Sequence, residues 1–238
     1  LIAEGYGLTE TSAASCVNLP ERYGIGTVGP PLPGTEVRIA ADDGEILIRG
    51  RGVMRGYHKL PDATRESLSP EGWLHTGDIG QVDADGFVRV TDRKKDLIKT
   101  SGGKYVAPQA LEGKLKTLCP YISQVLVHGN SRNFCSALVT LDEEAIRKWA
   151  GEHGADASAP MTAISTLPQV IALVDAAVAE LNRTLASYET VKKFAILDRD
   201  FTIASGELTA SMKMKRKVVE QNHRTVLDGF YAETIARV

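Results

Sequence analysis

A charged segment containing a Gly-Gly pair, residues 92–108, separates two regions of this chain that have different secondary-structure patterns. Its glycines allow backbone to approach a ligand closely, and its last residue, Pro108, suits the first turn of a helix. A solvated basic turn between two strands is the plain interpretation. The alternative is that its basic residues serve a phosphate-bearing ligand; they are Arg93, Lys94, Lys95, Lys99 and Lys104.

The region before this segment has the pattern of antiparallel strands. Polar and apolar residues alternate on both sides of two turn signals, Asp42-Asp43-Gly44 and Asp85-Gly86. We therefore predict a small antiparallel β-barrel or sheet. Its strands are expected at Glu36–Ile39, Glu45–Ile48, Val82 and Phe87–Val90.

The region after Arg93 mixes helices and strands, which predicts an α+β fold. Apolar residues at helical spacing indicate helices, short apolar runs indicate strands, and Asp142 is typical of a helix cap. The expected helices are Pro108–Leu118, from Asp142 to about Trp149, Leu167–Leu185 and most of 211–235; the strands are Ile122–Val127, Phe134–Leu141 and Phe194–Leu197; and 151–163 is an exposed loop. We predict two domains, 1–94 and 95–238.

The composition narrows the class of protein. A formal net charge of −2 argues against a nucleic-acid partner held by a global basic field. Three cysteines without metal-ligand spacing favour a reducing compartment, so we predict a cytoplasmic protein. No apolar run approaches the roughly 20 residues that span a bilayer. Because the sequence starts at Leu-Ile-Ala-Glu without a methionine, we expect a piece of a longer chain.

Four motifs in order resemble those of one enzyme superfamily. They are Tyr6-Gly7-Leu8-Thr9-Glu10, His75-Thr76-Gly77-Asp78, the segment 92–108 and Leu208–Arg216. Together they are similar to the adenylate-forming superfamily of acyl-CoA synthetases, luciferases and peptide-synthetase adenylation domains, and most of all to long-chain fatty-acid–CoA ligases. The resemblance implies a β-rich end of an AMP-binding domain followed by a mobile C-terminal α+β domain.

The resemblance implies a nucleotide site in the first region. Tyr6 and Gly7 would lie against the nucleotide, with the tyrosine ring along the adenine. Thr9 would touch the α-phosphate, and Glu10 would ligate Mg²⁺, a hard cation suited to a carboxylate and substrate phosphates. Asp78 would accept hydrogen bonds from the ribose hydroxyls, and Arg93 would reach the ribose or the phosphates.

The resemblance also assigns roles in the second region. Lys95 would be the hinge between the two domains, and Lys99, Gly102 and Gly103 would line the tunnel for CoA. Lys213 would contact the attacking carboxylate and the α-phosphate, with Lys215 as the alternative. Met212 stands where the familiar family pattern has glycine.

The implied function is an acid–thiol ligase of the AMP-forming kind. ATP would activate a fatty acid to an acyl-adenylate, and CoA would then displace AMP. The Ser/Thr/Gly-rich triphosphate loop of the family is missing from this sequence, so the chain alone is expected to be inactive. Peripheral membrane association of the complete enzyme is a further expectation. The alternatives are a fatty-acyl-AMP ligase that delivers to a carrier protein, and a non-catalytic nucleotide-binding module.

Overall fold

The computed structural model describes residues 2–235. The chain divides into two compact units between Leu97 and Ile98. This division follows a short 3₁₀ turn, Lys94–Asp96, that contains the domain boundary predicted from the sequence. Each unit has its own hydrophobic core.

The first unit is mostly β-structure with one short helix. A hairpin of two strands opens it, and a four-stranded antiparallel sheet in the order β3-β4-β5-β6 follows. The elements are β1 Gly5–Leu8, β2 Ala13–Val17, β3 Thr35–Ile39, β4 Glu45–Gly50, α1 Pro61–Ser67, β5 Leu74–Val82 and β6 Val88–Arg93.

The two predicted hairpins of this unit are confirmed. Val37 lies opposite Ile48 in the first, and Val82 lies opposite Val88 in the second. A sheet forms, rather than a barrel, in the described part of the unit. Its apolar face is buried around Cys16, Ile46, Ile48 and Val88.

The second unit is a three-stranded sheet covered by helices, with a small hairpin at its start. The strand order is β11-β10-β9. The elements are β7 Ile98–Lys99, β8 Tyr105–Val106, α2 Pro108–Leu118, β9 Ile122–His128, β10 Cys135–Leu141, α3 Glu143–Glu152, α4 Met161–Ile164, α5 Pro168–Asn182, β11 Val191–Ile196, α6 Arg216–Asn222 and α7 Arg224–Ile235.

Local sequence signals account for several of these elements. Helix α2 has the predicted bounds, and its Leu111 and Leu115 are buried in the main core of the unit. Truncation of such a leucine to alanine destabilises a protein by about 2–5 kcal/mol. Asp142 caps α3 as predicted, because its Oδ1 accepts a hydrogen bond of 2.9 Å from the backbone N–H of Ala145.

One prediction for the second unit is wrong in part. The expected loop 151–163 includes the end of α3 and the start of α4, and Arg147 holds it by donating to the carbonyls of Ala157 and Ala159 at 2.9 and 2.7 Å. The prediction that most of 211–235 is helical is confirmed, with α6 beginning at Arg216.

Candidate functional site

A cleft of about 990 Å³ lies in the first unit, beside the turn between β1 and β2. It brings together most of the nucleotide-site residues predicted from the sequence. Its lining includes Tyr6, Gly7, Thr9, Glu10 and Arg93.

The backbone of the turn that forms this cleft is unusual. Ser12 and Ala13 have φ angles of 58° and 95°, a region that L-residues seldom adopt. A Cβ on Gly7 would lie 1.7 Å from the carbonyl oxygen of Ala13, so only glycine fits at that position. A residue outside the turn stabilises it, because Ser12 Oγ donates a hydrogen bond of 2.8 Å to the carbonyl oxygen of Gly52. Backbone strain of this kind is concentrated at functional sites.

Asp78 joins two other predicted site residues. Its Oδ2 accepts a hydrogen bond of 2.6 Å from the Tyr6 hydroxyl, and its Oδ1 lies 2.8 Å from Nε of Arg93. The Asp78 side chain is only 6% exposed. Burial and the hydrogen bond to Asp78 raise the pKa of Tyr6, so its hydroxyl remains a donor. This contact links the first two sequence motifs, which are distant along the chain.

Tyr57 was missed by the sequence analysis. Its hydroxyl donates to Oε1 of Glu10 at 2.8 Å, and this hydrogen bond raises the pKa of Tyr57. The half-buried Glu10 carboxylate is thereby fixed at the cleft. The sequence contains no signal for this role of Tyr57, because an aromatic residue after Gly56 in a polar loop does not indicate a particular contact.

A buried carboxylate, Glu45, supports the segment that carries Asp78. Its Oε1 accepts from the N–H of Gly77 at 2.9 Å, and its Oε2 lies 2.9 Å from His75 Nδ1 and 2.8 Å from Lys94 Nζ. Burial would raise the pKa of Glu45, but these donors outweigh it and hold that pKa below its usual value. Gly77 has a φ of +72°, so its conformation favours glycine.

Lys94 is therefore not available as a phosphate-binding cation, contrary to the sequence analysis. Its ammonium lies 2.7 Å from Asp43 as well as 2.8 Å from Glu45. These two hydrogen bonds raise the pKa of Lys94 above its ordinary value. Lys94 holds β4 and the 3₁₀ turn together, which is a structural role.

Lys213 lies at the end of a tight loop in the second unit. The N–H of Thr209 donates to the Lys213 carbonyl at 2.8 Å, and the N–H of Lys213 donates to Oγ1 of Thr209 at 3.0 Å. Met212 has a φ of 62°, which explains why the familiar family pattern has glycine there. The side chains of Lys213 and Lys215 are both exposed, so the choice between them stays a prediction.

Glu207 anchors the base of this lysine loop. The fully buried carboxylate accepts from Arg199 at 2.7 and 3.0 Å, and its backbone carbonyl accepts from the Lys215 N–H at 2.8 Å. Burial opposes ionisation of Glu207, but the donors outweigh it and lower its pKa to about 2. The other donors are Ser205, Asn222 and His223.

Arg216 has a structural partner in the second unit. Its guanidinium donates to both carboxylate oxygens of Glu112, at 2.8 and 2.9 Å, and to the carbonyl of Val127 at 2.6 Å. Arg216 thus connects the start of α6 to α2 and β9.

The predicted hinge and CoA-tunnel residues are on short exposed elements. Lys95 is in the 3₁₀ turn, and Lys99 is in β7. Gly102 and Gly103 form the tip of the β7–β8 hairpin, where Gly103 has a φ of +75°. A Cβ on Gly103 would meet no atom within 4 Å, so the tip is open.

Within residues 2–235, no three His, Cys, Asp or Glu side chains cluster as a ready-made metal site. No helix in the same range combines the length and apolar character required to cross a bilayer.

Known proteins resemble this chain along most of its length. Residues 95–235 match the AMP-binding enzyme C-terminal domain, and residues 1–58 match the AMP-binding enzyme family. The long-chain-fatty-acid–CoA ligase FadD15 of Mycobacterium tuberculosis is 45% identical over 230 residues, which are 97% of this chain and 38% of that protein. The chain therefore spans well under half the length of this relative.

Two solved structures extend the likeness to three dimensions. The A domain of carboxylic acid reductase from Segniliparus rugosus, in complex with AMP and a co-purified carboxylic acid, has a TM-score of 0.66 and 26% identity over 98% of this chain and 35% of its own. The O-succinylbenzoate coenzyme A synthetase of Bacillus subtilis, in complex with ATP and magnesium ion, has a TM-score of 0.58 and 28% identity over 90% of this chain and 40% of its own. The chain belongs to the AMP-binding enzyme family.

Proposed function

We propose that this chain is the C-terminal part of an ATP-dependent long-chain fatty-acid–CoA ligase. The observation that carries the proposal is the contact of Asp78 with Tyr6 and Arg93. Both of these partners line the cleft that also contains Thr9 and Glu10. The likeness to long-chain-fatty-acid–CoA ligases over nearly the whole chain supports the substrate class.

Asp78 is suited to hold the ribose of ATP. Each carboxylate oxygen has two lone pairs; the Tyr6 hydroxyl uses one on Oδ2, and Arg93 is ion-paired with Oδ1. Within residues 2–235, acceptor capacity therefore remains on both oxygens for the two ribose hydroxyls. Because Tyr6 and Arg93 fix the carboxylate before ATP binds, little side-chain entropy is lost on binding.

Glu10 is suited to a magnesium ion that arrives with ATP. Tyr57 donates to its Oε1, and within residues 2–235 its Oε2 accepts no hydrogen bond. Mg²⁺ is commonly bound by one or two carboxylates together with substrate phosphates, so a single carboxylate fits this cation. When bound, the ion would neutralise charge on the phosphates. Thr9, beside Glu10, would contact the α-phosphate.

Lys213 would act in the first half-reaction, in which the carboxylate of the fatty acid attacks the α-phosphate and pyrophosphate leaves. A compact ammonium can bridge two anions that repel each other. Within residues 2–235 this ammonium has no ion-pair partner, unlike that of Lys94. Lys99, Gly102 and Gly103 would then guide CoA in the second half-reaction.

The test is an assay of the longer ligase that this proposal requires. It should convert carboxylates of increasing chain length to acyl-CoA with ATP and CoA, and long-chain fatty acids should be preferred. Transfer to a carrier protein with no activity toward CoA would favour the fatty-acyl-AMP ligase. Absence of both pyrophosphate exchange and ATP binding would favour a non-catalytic module and overturn the proposal.

The 238-residue chain by itself should make no acyl-CoA, because the triphosphate loop expected of the family is missing from its sequence. Turnover by the purified chain would contradict this assignment of parts. A cytoplasmic location and peripheral membrane association of the complete enzyme stay proposals.

A further inference from the structure

The hairpin loop between β9 and β10 is hydrogen-bonded to the glycine hairpin of β7 and β8. The backbone N–H of Ser131 donates to the Lys99 carbonyl at 2.8 Å, and the N–H of Ser101 donates to the Arg132 carbonyl at 2.8 Å. The N–H of Lys99 also donates to Oδ1 of Asn130 at 3.3 Å. Hydrogen bonds therefore join two loops that are distant in sequence.

The glycine hairpin is buried at its base and exposed at its tip. Ile98 and Val106, one in each of its two-residue strands, are buried in the main core of the second unit, whereas residues 101–105 are exposed. A Cβ at Gly102 or Gly103 would meet almost nothing. The hydrogen bonds to Ser131 and Arg132 are therefore the contacts that orient the hairpin beyond its buried base.

The side chain of Arg132 connects the β9–β10 loop to helix α7. Its guanidinium forms an ion pair with Asp228 and lies 4.7 Å from the centre of the Tyr231 ring. Tyr231 is itself fixed, since it is 3% exposed and its hydroxyl lies 2.9 Å from Oγ of Ser136. A continuous path of contacts runs from α7 through Arg132 to the glycine hairpin.

We propose that Arg132 is a positioning residue for thioester formation, acting through the backbone of the glycine hairpin. This inference rests on the proposed ligase function. In the step concerned, the sulfur of CoA bonds to the acyl carbon of the acyl-adenylate, and the bond from that carbon to the AMP oxygen breaks. The electron pair leaves with AMP, and the thiol proton passes to water. The hairpin must be in place for the thiol to reach the acyl carbon.

Anchoring by Arg132 is separable from the stability of the fold. The side chains of Arg132 and Asp228 are 35% and 46% exposed, and exposed ion pairs contribute little to the free energy of unfolding. Loss of the Arg132 side chain should therefore leave the melting temperature nearly unchanged while it loosens the hairpin. A purely structural residue would show the opposite pattern.

The first measurement is amide hydrogen exchange on this chain. In Arg132→Ala, exchange at Ser101 and Ser131 should accelerate about tenfold, since both amides donate across the two loops. Arg224→Ala is the matched control, because Arg224 also pairs with Asp228, at 3.3 Å, and within residues 2–235 no hydrogen bond or ion pair joins its side chain to the two loops. Unchanged exchange in Arg132→Ala, or equal acceleration in the control, would overturn the proposal.

The second measurement separates the half-reactions in the longer ligase. Arg132→Ala should leave pyrophosphate exchange intact and slow thioester formation from supplied acyl-adenylate about tenfold, a change of ~1.4 kcal/mol in the barrier. Arg132→Lys should recover part of the loss, because it retains the charge near Asp228 and Tyr231.

The outcomes distinguish the two proposals. Equal losses in both half-reactions together with a lower melting temperature would make Arg132 structural and overturn the positioning role. Absence of pyrophosphate exchange in the unmutated ligase would overturn the proposed function and, with it, this inference.

Discussion

In the first unit Asp78 contacts two other candidate site residues directly, through a hydrogen bond with Tyr6 and an ion pair with Arg93. In the second unit the Lys213 side chain is exposed, and its loop is hydrogen-bonded to the buried Glu207. The candidate nucleotide-site residues of the first unit thus stabilise one another. In the second unit, the anchoring role and the proposed chemistry belong to different residues. A substitution in the first unit should therefore affect binding and local structure together, while one in the second should affect one or the other.

The largest expected effect is that of Lys213→Ala on adenylate formation in the longer ligase. Loss of a group that stabilises developing charge costs roughly 10²–10³-fold in rate. The melting temperature should be unchanged, because the side chain has no partner within residues 2–235, and thioester formation from supplied acyl-adenylate should continue. Lys215→Ala is the matched control; a larger loss in that variant would move the catalytic role to Lys215.

Replacement of the anchor, Glu207→Gln, should instead lower stability, by about 3 kcal/mol. This is at the lower end for a broken buried ion pair, because Arg199 is half exposed and can return to water. Denaturant unfolding of the chain would measure it, with Glu36→Gln, from an exposed ion pair, as the control. A loss no larger than that of the control would refute the anchoring role.

The same network predicts a pH dependence. The folded-state pKa of Glu207 is lowered from 4.5 to about 2, so its contribution to stability is present above pH 4.5 and is lost as pH falls toward 2. The stability difference between the native chain and Glu207→Gln should shrink over that window.

Asp78→Ala tests the mutual support of the first unit. It removes the proposed acceptor for the ribose hydroxyls and also the partner of Tyr6 and Arg93, so ATP affinity and local order should fall together. A lost hydrogen bond to a charged group costs about 1.5–3 kcal/mol, or roughly 10- to 150-fold in affinity. Calorimetric titration of the longer ligase with ATP would show the loss of affinity. An unchanged affinity would remove Asp78 from the proposed nucleotide site. Asp85→Ala, at an exposed turn, is the control.

The sequence predicted the elements that depend on neighbouring residues. Helix α2 and the Asp142 cap follow from local spacing and hydrogen-bonding chemistry, and the strand pairs follow from alternation around Asp–Gly turns. The motif resemblance supplied the cleft residues that the structure brings together. In contrast, the resemblance did not predict the hydrogen bond between Tyr57 and Glu10, because Tyr57 lies outside the four motifs and the two residues are distant in sequence.

The same limit explains the errors. Lys94 was grouped with ligand-binding cations because its neighbours are basic, but folding places it between the carboxylates of Asp43 and Glu45. The predicted short strand Phe194–Leu197 overlaps β11, but the sequence does not predict its parallel pairing with β10, since that pairing depends on the long connection through three helices.

Lys95→Pro tests whether Lys95 is the hinge between the two units. Proline fixes φ near −65°, a value typical of a 3₁₀ turn such as Lys94–Asp96, and so should retain this turn while blocking other conformations. If Lys95 is the hinge, pyrophosphate exchange should survive and thioester formation should fall by at least about tenfold. Lys95→Ala should leave both half-reactions intact. Equal slowing of both, or of neither, by the proline would place the pivot elsewhere.

The smallest expected effect concerns the strain in the lysine loop. Met212 has a φ of 62° and is 60% exposed, so its left-handed conformation is not offset by burial of the side chain. Met212→Gly should relieve about 1–2 kcal/mol of strain, and the greater freedom of glycine in the unfolded chain should cancel about half of this. A net gain of about 0.5–1 kcal/mol in denaturant unfolding is therefore expected. Ala210→Gly, in the same loop without a positive φ, should lose stability instead, since it adds unfolded-state entropy and relieves nothing. A gain in both variants, or in neither, would show that the Met212 backbone is not strained.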